Sequence, residues 1–422
     1  MYFCYFYPTG LDLPRERRPW LSMLLVGSML GTFAWQLWWP QVFSVHPWDL
    51  IFYVGSLQPW TAITAMFLHA GWLHLFGNLV YLVAFLPALE DRLGRVGLLV
   101  LFLVAGVGGN LAHGVAAWQH WLGQGGLGIL GASGAISGLL GFSLVRLPYA
   151  RVSVAYWLFA PLQGQNRAGR TYVAMPVAIL LWLLLQLINA ALAGETGSAV
   201  SYPAHLGGFA LGALLALVLG GLAEGRTEAA LARGRRYLEQ GEGWAAVGEF
   251  TEYLEQGSGD LQVRLEQARA LVMAGVLGQA QIIYRDVHRQ AAAAGRWDLA
   301  LDTLAEGRRC RTGLGLSVEE LAAAAHQAEK NGDTDLATRV YQDLVLSGKV
   351  HPQRDRAWVR LILLLHADPG RLDEAEEWLE RARHELPSGG WRDYLEREFN
   401  LAPDDRVTEL PVASGRRPAP ES

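Results

Sequence analysis

Charge is scarce in the first half of this 422-residue chain. Residues 1–225 hold nine arginines, no lysine and seven acidic residues, whereas residues 226–422 hold 26 Lys/Arg and 33 Asp/Glu. The net charge of −5 therefore divides into +2 and −7, which excludes a soluble single domain of uniform composition. Cysteine is nearly absent: Cys4 and Cys310 are the only two, too few for a disulfide framework or a cysteine metal cluster. No basic patch suggests nucleic acid as a partner. A cleavable signal peptide is not expected, because the first apolar run begins only at Trp20 and no small-residue cleavage site follows a short core.

Long uncharged runs take the place of those charges, at 19–48, 50–89, 96–145, 171–194 and 196–223. About 20 apolar residues cross a bilayer core, and the Gly/Gln-rich piece from Gln119 to Gly128 must divide the third run. Six spans result, at 20–39, 73–89, 96–117, 129–147, 172–193 and 202–222. The segment 40–72, with Pro40, Pro47, Pro59 and several tryptophans, reads as interfacial, since Trp favours the headgroup level and Pro interrupts regular spans. Arginines occur before span one and after spans two, four and six, while the alternate loops have no Arg or Lys. The positive-inside rule then puts both chain ends in the cytoplasm and runs spans two, four and six from outside to inside.

Polar side chains inside lipid are costly, so those present are functional candidates. His74 and Asn78, four apart, share a helix face at the start of span two. Gly131-Ala132-Ser133-Gly134 opens span four, and Ala204-His205-Leu206-Gly207-Gly208 lies near the start of span six, followed by Gly212. All three groups begin outside-to-inside spans. At about 1.5 Å per residue, Ser133, His205 and Asn78 share a depth roughly 5–10 Å below the outer surface.

A serine hydroxyl needs a base, and His has the pKa for it. Ser133 with His205 supplies that pair, and the Ser133 backbone N–H, Asn78 and His74 could donate to an oxyanion. No intramembrane Asp or Glu is present to orient the histidine, so a Ser-His dyad is expected rather than a triad. Gly208 and Gly212 form a small-xxx-small face able to bring span six against span four. Ser137 and Ser143 are expected to bond their own helix backbone, and His113 to serve interface or packing. A metal site built on His69, His74, His113 and His205 is the weaker reading, because no His-Glu-x-x-His pattern accompanies them. Neither a metal nor another cofactor is expected.

At these motifs the chain resembles the rhomboid family of intramembrane serine proteases, over about residues 15–225. Gly-x-Ser-Gly at 131–134, Ala-His-x-x-Gly-x-x-x-Gly at 204–212 and His-x-x-x-Asn at 74–78 occur in the family's order, and Glu90-Asp91-Arg92-Leu93-Gly94 looks like its pattern after span two. The resemblance implies Ser133 as nucleophile, His205 as base, His74 and Asn78 as oxyanion stabilisers and His69 as a structural histidine near the site, while Gly131 and Gly134, which flank the serine, and Gly208 and Gly212 are expected to let the backbones approach closely there. It implies cleavage in or near a substrate's transmembrane helix, which enters sideways from lipid. Two positions depart from the family's pattern: Trp60 is followed by Thr61 where many members have Arg, and Ser137 stands where many have an aromatic residue packed on the histidine.

From Arg226 the sequence is helix-periodic, and glycines 243, 278, 295, 332 and 370 mark recurrences mostly near the spacing of a helix-turn-helix array. This half looks like a tetratricopeptide-type repeat, with a plain helical bundle as the other reading. The expected architecture is therefore all-α: a cytoplasmic segment 1–19, a six-span core 20–225, a cytoplasmic repeat domain 226–406 and a disordered tail 407–422. The expected protein is a multi-pass protein of the bacterial inner (plasma) membrane. Its expected partners are the lipid bilayer, membrane-protein substrates with a transmembrane helix, and a cytoplasmic protein or peptide ligand of the repeats. A catalytically silent membrane-client binder and a transporter stay open as alternatives at this stage.

Overall fold

In the computed structural model of the protein, residues 3–38, 46–53, 58–118, 128–160, 165–196, 200–257, 259–348, 351–387 and 389–400 are described. The expected tail, 407–422, lies outside the described residues, as do residue 39 at the end of expected span one, 40–45 and 54–57 of the interfacial segment and 119–127 of the Gly/Gln-rich piece. Two units are distinguished, Met1–Arg233 and Gly234–Ser422, and most of the chain is helical.

The first unit contains β1 (Phe3–Leu11), α1 (Trp20–Trp38), β2 (Phe52–Tyr53), α2 (Thr61–Thr64), α3 (Trp72–Trp118), β3 (Gly128–Ile129), α4 (Ser133–Arg146), β4 (Arg151–Ala160), β5 (Gln165–Ala174), α5 (Met175–Thr196) and α6 (Tyr202–Val218). At 47 residues, α3 would run about 70 Å as a straight helix, more than twice a bilayer core of about 30 Å. It does not run straight. Gly94 has φ 68° and ψ 173°, a left-handed backbone that glycine adopts without a Cβ penalty, and it separates arms 72–93 and 95–118.

Among the described residues, α1, α3 and the Met175–Leu192 part of α5 are long and apolar enough to cross a membrane. Helix α6 passes that test only together with α7 (Gly221–Gln240), from which it is bent by 77°. Helix α4 has 14 residues, about 21 Å, shorter than the expected span 129–147 because residues 128–132 form a strand and turn instead. Protein, not lipid, surrounds α4, and its residues from Gly134 to Ser143 are all buried.

The all-α expectation omitted a sheet. Strands β1, β4 and β5 pair antiparallel in that order, with Phe6 opposite Tyr156 and Tyr156 opposite Gly169. Residues 151–156 alternate Arg, Val, Ser, Val, Ala, Tyr, the period-two pattern of a half-buried strand. Val152 is buried, and Val154 and Leu11 pack on the same apolar core. The expected organisation leaves β1 in the segment 1–19 and most of β4 and β5 in the loop between spans four and five.

The Glu90-Asp91-Arg92-Leu93-Gly94 run has a structural use at each polar position. Buried Glu90 accepts from Leu21 N–H (3.0 Å), Ser22 N–H (2.8 Å) and Ser22 Oγ–H (2.7 Å), so a carboxylate distant in sequence caps the first turn of α1 and complements its dipole. Asp91 accepts from the Glu16 and Arg17 N–H groups. Arg92 pairs with Glu228 at 3.4 Å.

Glu228 also holds the C-terminal end of α4. Arg146 donates to it at 2.6 Å and lies 2.8 Å from Glu224, and the Tyr149 hydroxyl donates to it as well. Burial would raise the Glu228 carboxyl, but hydrogen bonds from Arg146 and Tyr149 outweigh it and hold the group below the usual carboxylate range. Burial and the bond to Glu228 push Tyr149 up to about 12. A depressed carboxylate contributes stability above its unfolded pKa and loses it as the pH falls through the lower folded value. Glu228→Gln is therefore expected to lower the thermal midpoint of the detergent-solubilised chain at neutral pH, by the equivalent of about 1–2 kcal/mol because the side chain is a third exposed. That difference should close as both proteins are acidified below about pH 4.

The second unit is a succession of helices, α8 (Gly243–Glu255), α9 (Leu261–Met273), α10 (Leu277–Ala293), α11 (Trp297–Arg309), α12 (Val318–Lys330), α13 (Thr334–Leu346), α14 (Pro352–His366), α15 (Leu372–Glu385) and α16 (Gly390–Glu398). Arginine–glutamate pairs recur at similar separations: Arg235–Glu266 and Arg289–Glu320 are 31 residues apart and Arg269–Glu306 is 37. Of the glycines used as markers, Gly295 and Gly332 follow helix ends with positive φ. Gly243 and Gly278 instead lie in the first turns of α8 and α10, where Gly241 and Gly275 have the positive φ. The helix-ending glycines are thus displaced by two or three residues from two of the markers.

Candidate active site

The site is assembled where three helices begin. Strand β3 pairs with β2, Phe52 opposite Ile129, and the chain then turns through Gly131 into α4, of which Ser133 is the first residue. The Gly131 N–H donates to Ala65 O at 2.8 Å. Buried Asn110, on the second arm of α3, donates through Nδ2 to Ala62 O at 2.7 Å. Residues 61–67 of the expected interfacial segment are thereby tied to the serine turn. Trp48, Trp60 and Trp72 are each 55% exposed, as residues at the headgroup level would be.

Gly131 is where the separate motifs meet. Its φ is 112°, and a Cβ built there would lie 2.6 Å from His74 Nε2 and 3.6 Å from Asn78 Nδ2. Only a residue without a side chain leaves both groups beside the serine turn. Ala70 N–H donates to His74 Nδ1 at 3.4 Å, so the proton of a neutral His74 ring is on Nε2, the nitrogen facing Gly131. Asn78 is buried, and among the described residues its Nδ2 has no hydrogen-bond partner. An unpaired buried donor costs about 1–3 kcal/mol, and such a cost calls for a functional reason.

Glycines bring α6 against α4. A Cβ on Gly208 would fall 2.1 Å from Gly134 O, and one on Gly212 would fall 1.9 Å from Gly138 O, so the two backbones touch along the face the sequence suggested. His205, one turn before Gly208–Phe209, is carried into the site by that seam. Its Nδ1 is 2.9 Å from Gln186 Oε1 on α5. An amide oxygen can only accept, so this contact favours the neutral ring with its proton on Nδ1 and the lone pair on Nε2. Among the described residues no hydrogen bond joins Ser133 Oγ to His205; in unliganded sites such bonds are often long and tighten when substrate binds.

The remaining residues support this arrangement. His69 is buried, its ring centroid 5.2 Å from that of His74. Gln36 of α1 clamps its backbone, Oε1 accepting from His69 N–H at 3.0 Å and Nε2 donating to His69 O at 3.2 Å. His113 proves more than a packing residue. Its Nδ1 is 2.8 Å from Ser201 Oγ, which also accepts from Ala204 N–H as the N-cap of α6. Ser137 Oγ donates to Ser133 O at 2.7 Å as expected, but Ser143 Oγ, also expected to bond its helix, is buried and has no hydrogen-bond partner among the described residues.

The two departures are also accommodated. With Ser137 too small to reach His205, the ring instead meets Tyr202 edge-on at 6.3 Å. Thr61 is buried and donates to Gln58 O at 2.6 Å. Sequence reasoning missed Gln186, Gln36 and Asn110. A search of the spans for neutral amides as well as ionisable groups would have found Gln186, an amide in the uncharged run 171–194.

Comparison with known proteins gives a consistent picture. Residues 56–222 match the Rhomboid domain. YdcA of Bacillus subtilis (strain 168), whose name places it among candidate rhomboid proteases, is 30% identical over 166 residues, 39% of this chain and 69% of that protein. RHOMBOID-like protein 5 of Arabidopsis thaliana is 29% identical over 162 residues, 38% and 44% of the two chains. Rhomboid-like protease 3 of Toxoplasma gondii is 32% identical over 161 residues, 38% and 52%. The chain thus spans about two thirds of the first relative's length and about half of the other two.

Proposed function

The chain belongs to the rhomboid family of membrane proteins, and on that premise we propose that it is an intramembrane serine endopeptidase. Ser133 attacks a peptide carbonyl in or near a substrate's transmembrane helix and passes its proton to His205 Nε2. The new oxyanion takes hydrogen bonds from the Ser133 backbone N–H, Asn78 Nδ2 and His74 Nε2–H. The observation that carries this reading is the pair of donors beside Gly131, His74 Nε2 and the unpartnered Asn78 Nδ2, two residues before Ser133.

The core is read as six spans, with the arms of α3 as spans two and three and the protein-enclosed α4 as span four. Both chain ends face the cytoplasm, in a bacterial inner membrane, and the site opens toward the outer face. The second unit is read as a tetratricopeptide-like array that binds a cytoplasmic protein or peptide. Its recurring Arg–Glu separations support that reading, because stacked repeats place equivalent residues at a nearly fixed interval.

Labelling with a serine-reactive fluorophosphonate in detergent tests the chemistry. Wild type is expected to label, and Ser133→Ala and His205→Ala to lose the label while keeping the wild-type elution volume. A folded wild type that fails to label would instead be a silent client-binding member of the family.

A further inference from the structure

Helix α5 is apolar over most of its length, and Gln186 lies in its middle against the histidine of α6. Two contacts define this seam. Trp182 meets the Phe209 ring at a centroid distance of 5.9 Å, and Gln186 Oε1 meets His205 Nδ1 at 2.9 Å. Residues 182 and 186 are four apart, as are 205 and 209, so each pair is one turn of its helix. The Trp–Phe contact thus fixes the register in which Gln186 faces His205.

We propose that Gln186 is a positioning residue that selects the reactive tautomer of His205. This rests on the reading of Ser133 and His205 as nucleophile and base. Neutral imidazole carries one proton on either nitrogen. With Oε1 of Gln186 facing Nδ1, that proton is held on Nδ1, and the Nε2 lone pair is free for the serine. In the attack, Ser133 Oγ forms a bond to the substrate carbonyl carbon, the carbonyl π pair moves onto oxygen, and the Oγ proton goes to Nε2. Nδ1–H stays bonded to Gln186 throughout. A neutral amide orients the ring without adding a net charge inside the membrane, where a carboxylate would be costly. This dyad therefore has a third, uncharged member, supplied by a helix that carries none of the recognised motifs.

Gln186→Met preserves the volume of the side chain and removes the acceptor. It is expected to lower kcat about 10- to 100-fold, the cost of a misoriented catalytic group, with KM and the thermal midpoint little changed. Gln186→Glu keeps an acceptor oxygen and should recover most of that loss. The tautomer is read independently of turnover from the ¹⁵N shifts of the His205 ring in detergent, assigned by comparison with His205→Ala. Wild type should show Nδ1 protonated, and Gln186→Met should shift the population toward protonated Nε2. Protonated Nε2 in wild type, or an unchanged tautomer and kcat in Gln186→Met, overturns the proposal. If wild type holds the expected tautomer but shows no Ser133-dependent labelling, the protease reading fails while the Gln186–His205 pairing stands as a structural contact only.

Discussion

Ser133→Ala is expected to abolish cleavage of a transmembrane substrate in liposomes, and Asn78→Ala to lower kcat about 10²- to 10³-fold with little change in KM, the usual loss for one oxyanion donor. The difference between them follows from their proposed roles. Without the hydroxyl no acyl-enzyme forms, and losses on the order of 10⁶-fold are typical of serine-nucleophile removal, which reads as no product above background. Without Asn78 the serine still attacks, but the developing charge loses a donor already buried and unpaired beside Gly131. A donor that pairs only with the oxyanion stabilises the transition state and not the bound substrate, so the loss falls on kcat. Quantifying cleavage product over a substrate titration tests both. An Asn78→Ala enzyme with unchanged kcat would remove Asn78 from the site.

The second large effect concerns the seam between α4 and α6. Gly212→Val is expected to prevent accumulation of folded protein, and Gly212→Ala to fold with at most about 1% of wild-type kcat. A Cβ at this position lies 1.9 Å from Gly138 O, 2.6 Å from Gly138 C and 2.7 Å from Gly138 Cα. These are backbone atoms of a buried helix, which cannot rotate away as a side-chain end can. The helices must separate, and His205 moves with α6; a displacement of about 1 Å is enough to cost 10²-fold. Overpacking adds about 1–3 kcal/mol of instability for alanine and more for valine. Gly31→Ala on α1, where a Cβ meets nothing within 4 Å, is the matched control and should behave as wild type. Yield by size-exclusion chromatography and kcat of the folded fraction test this. Wild-type behaviour of Gly212→Ala would mean that the helices are not in backbone contact.

Parts of the site could be read from sequence because they are local. His74 and Asn78 lie on one helix face by spacing alone, and the charge pattern assigned each polar group to the start of a span. The sheet was missed for a related reason: between the long apolar runs, the alternation at 151–156 is short, and its partner strand β1 is about 140 residues earlier in the chain. In the second unit the glycine markers follow the recurrence but do not all end helices: Gly241 and Gly275, and not the markers Gly243 and Gly278, have the positive φ, which only the backbone angles distinguish.

The sequence by itself determined the membrane half, the charged half, the order of the apolar runs and the chemical types available for catalysis. Transfer free energies and charge act residue by residue, so they add along the chain and can be read in order. Only the tertiary structure decided that His74 and Asn78 meet Gly131, that Gly208 and Gly212 press on the backbone of α4, and that Gln186 Oε1 lies against His205 Nδ1. Those outcomes depend on the register between helices that are not neighbours in sequence. A shift of one residue along a helix turns a side chain by about 100°, enough to remove any of these contacts without changing composition or hydropathy.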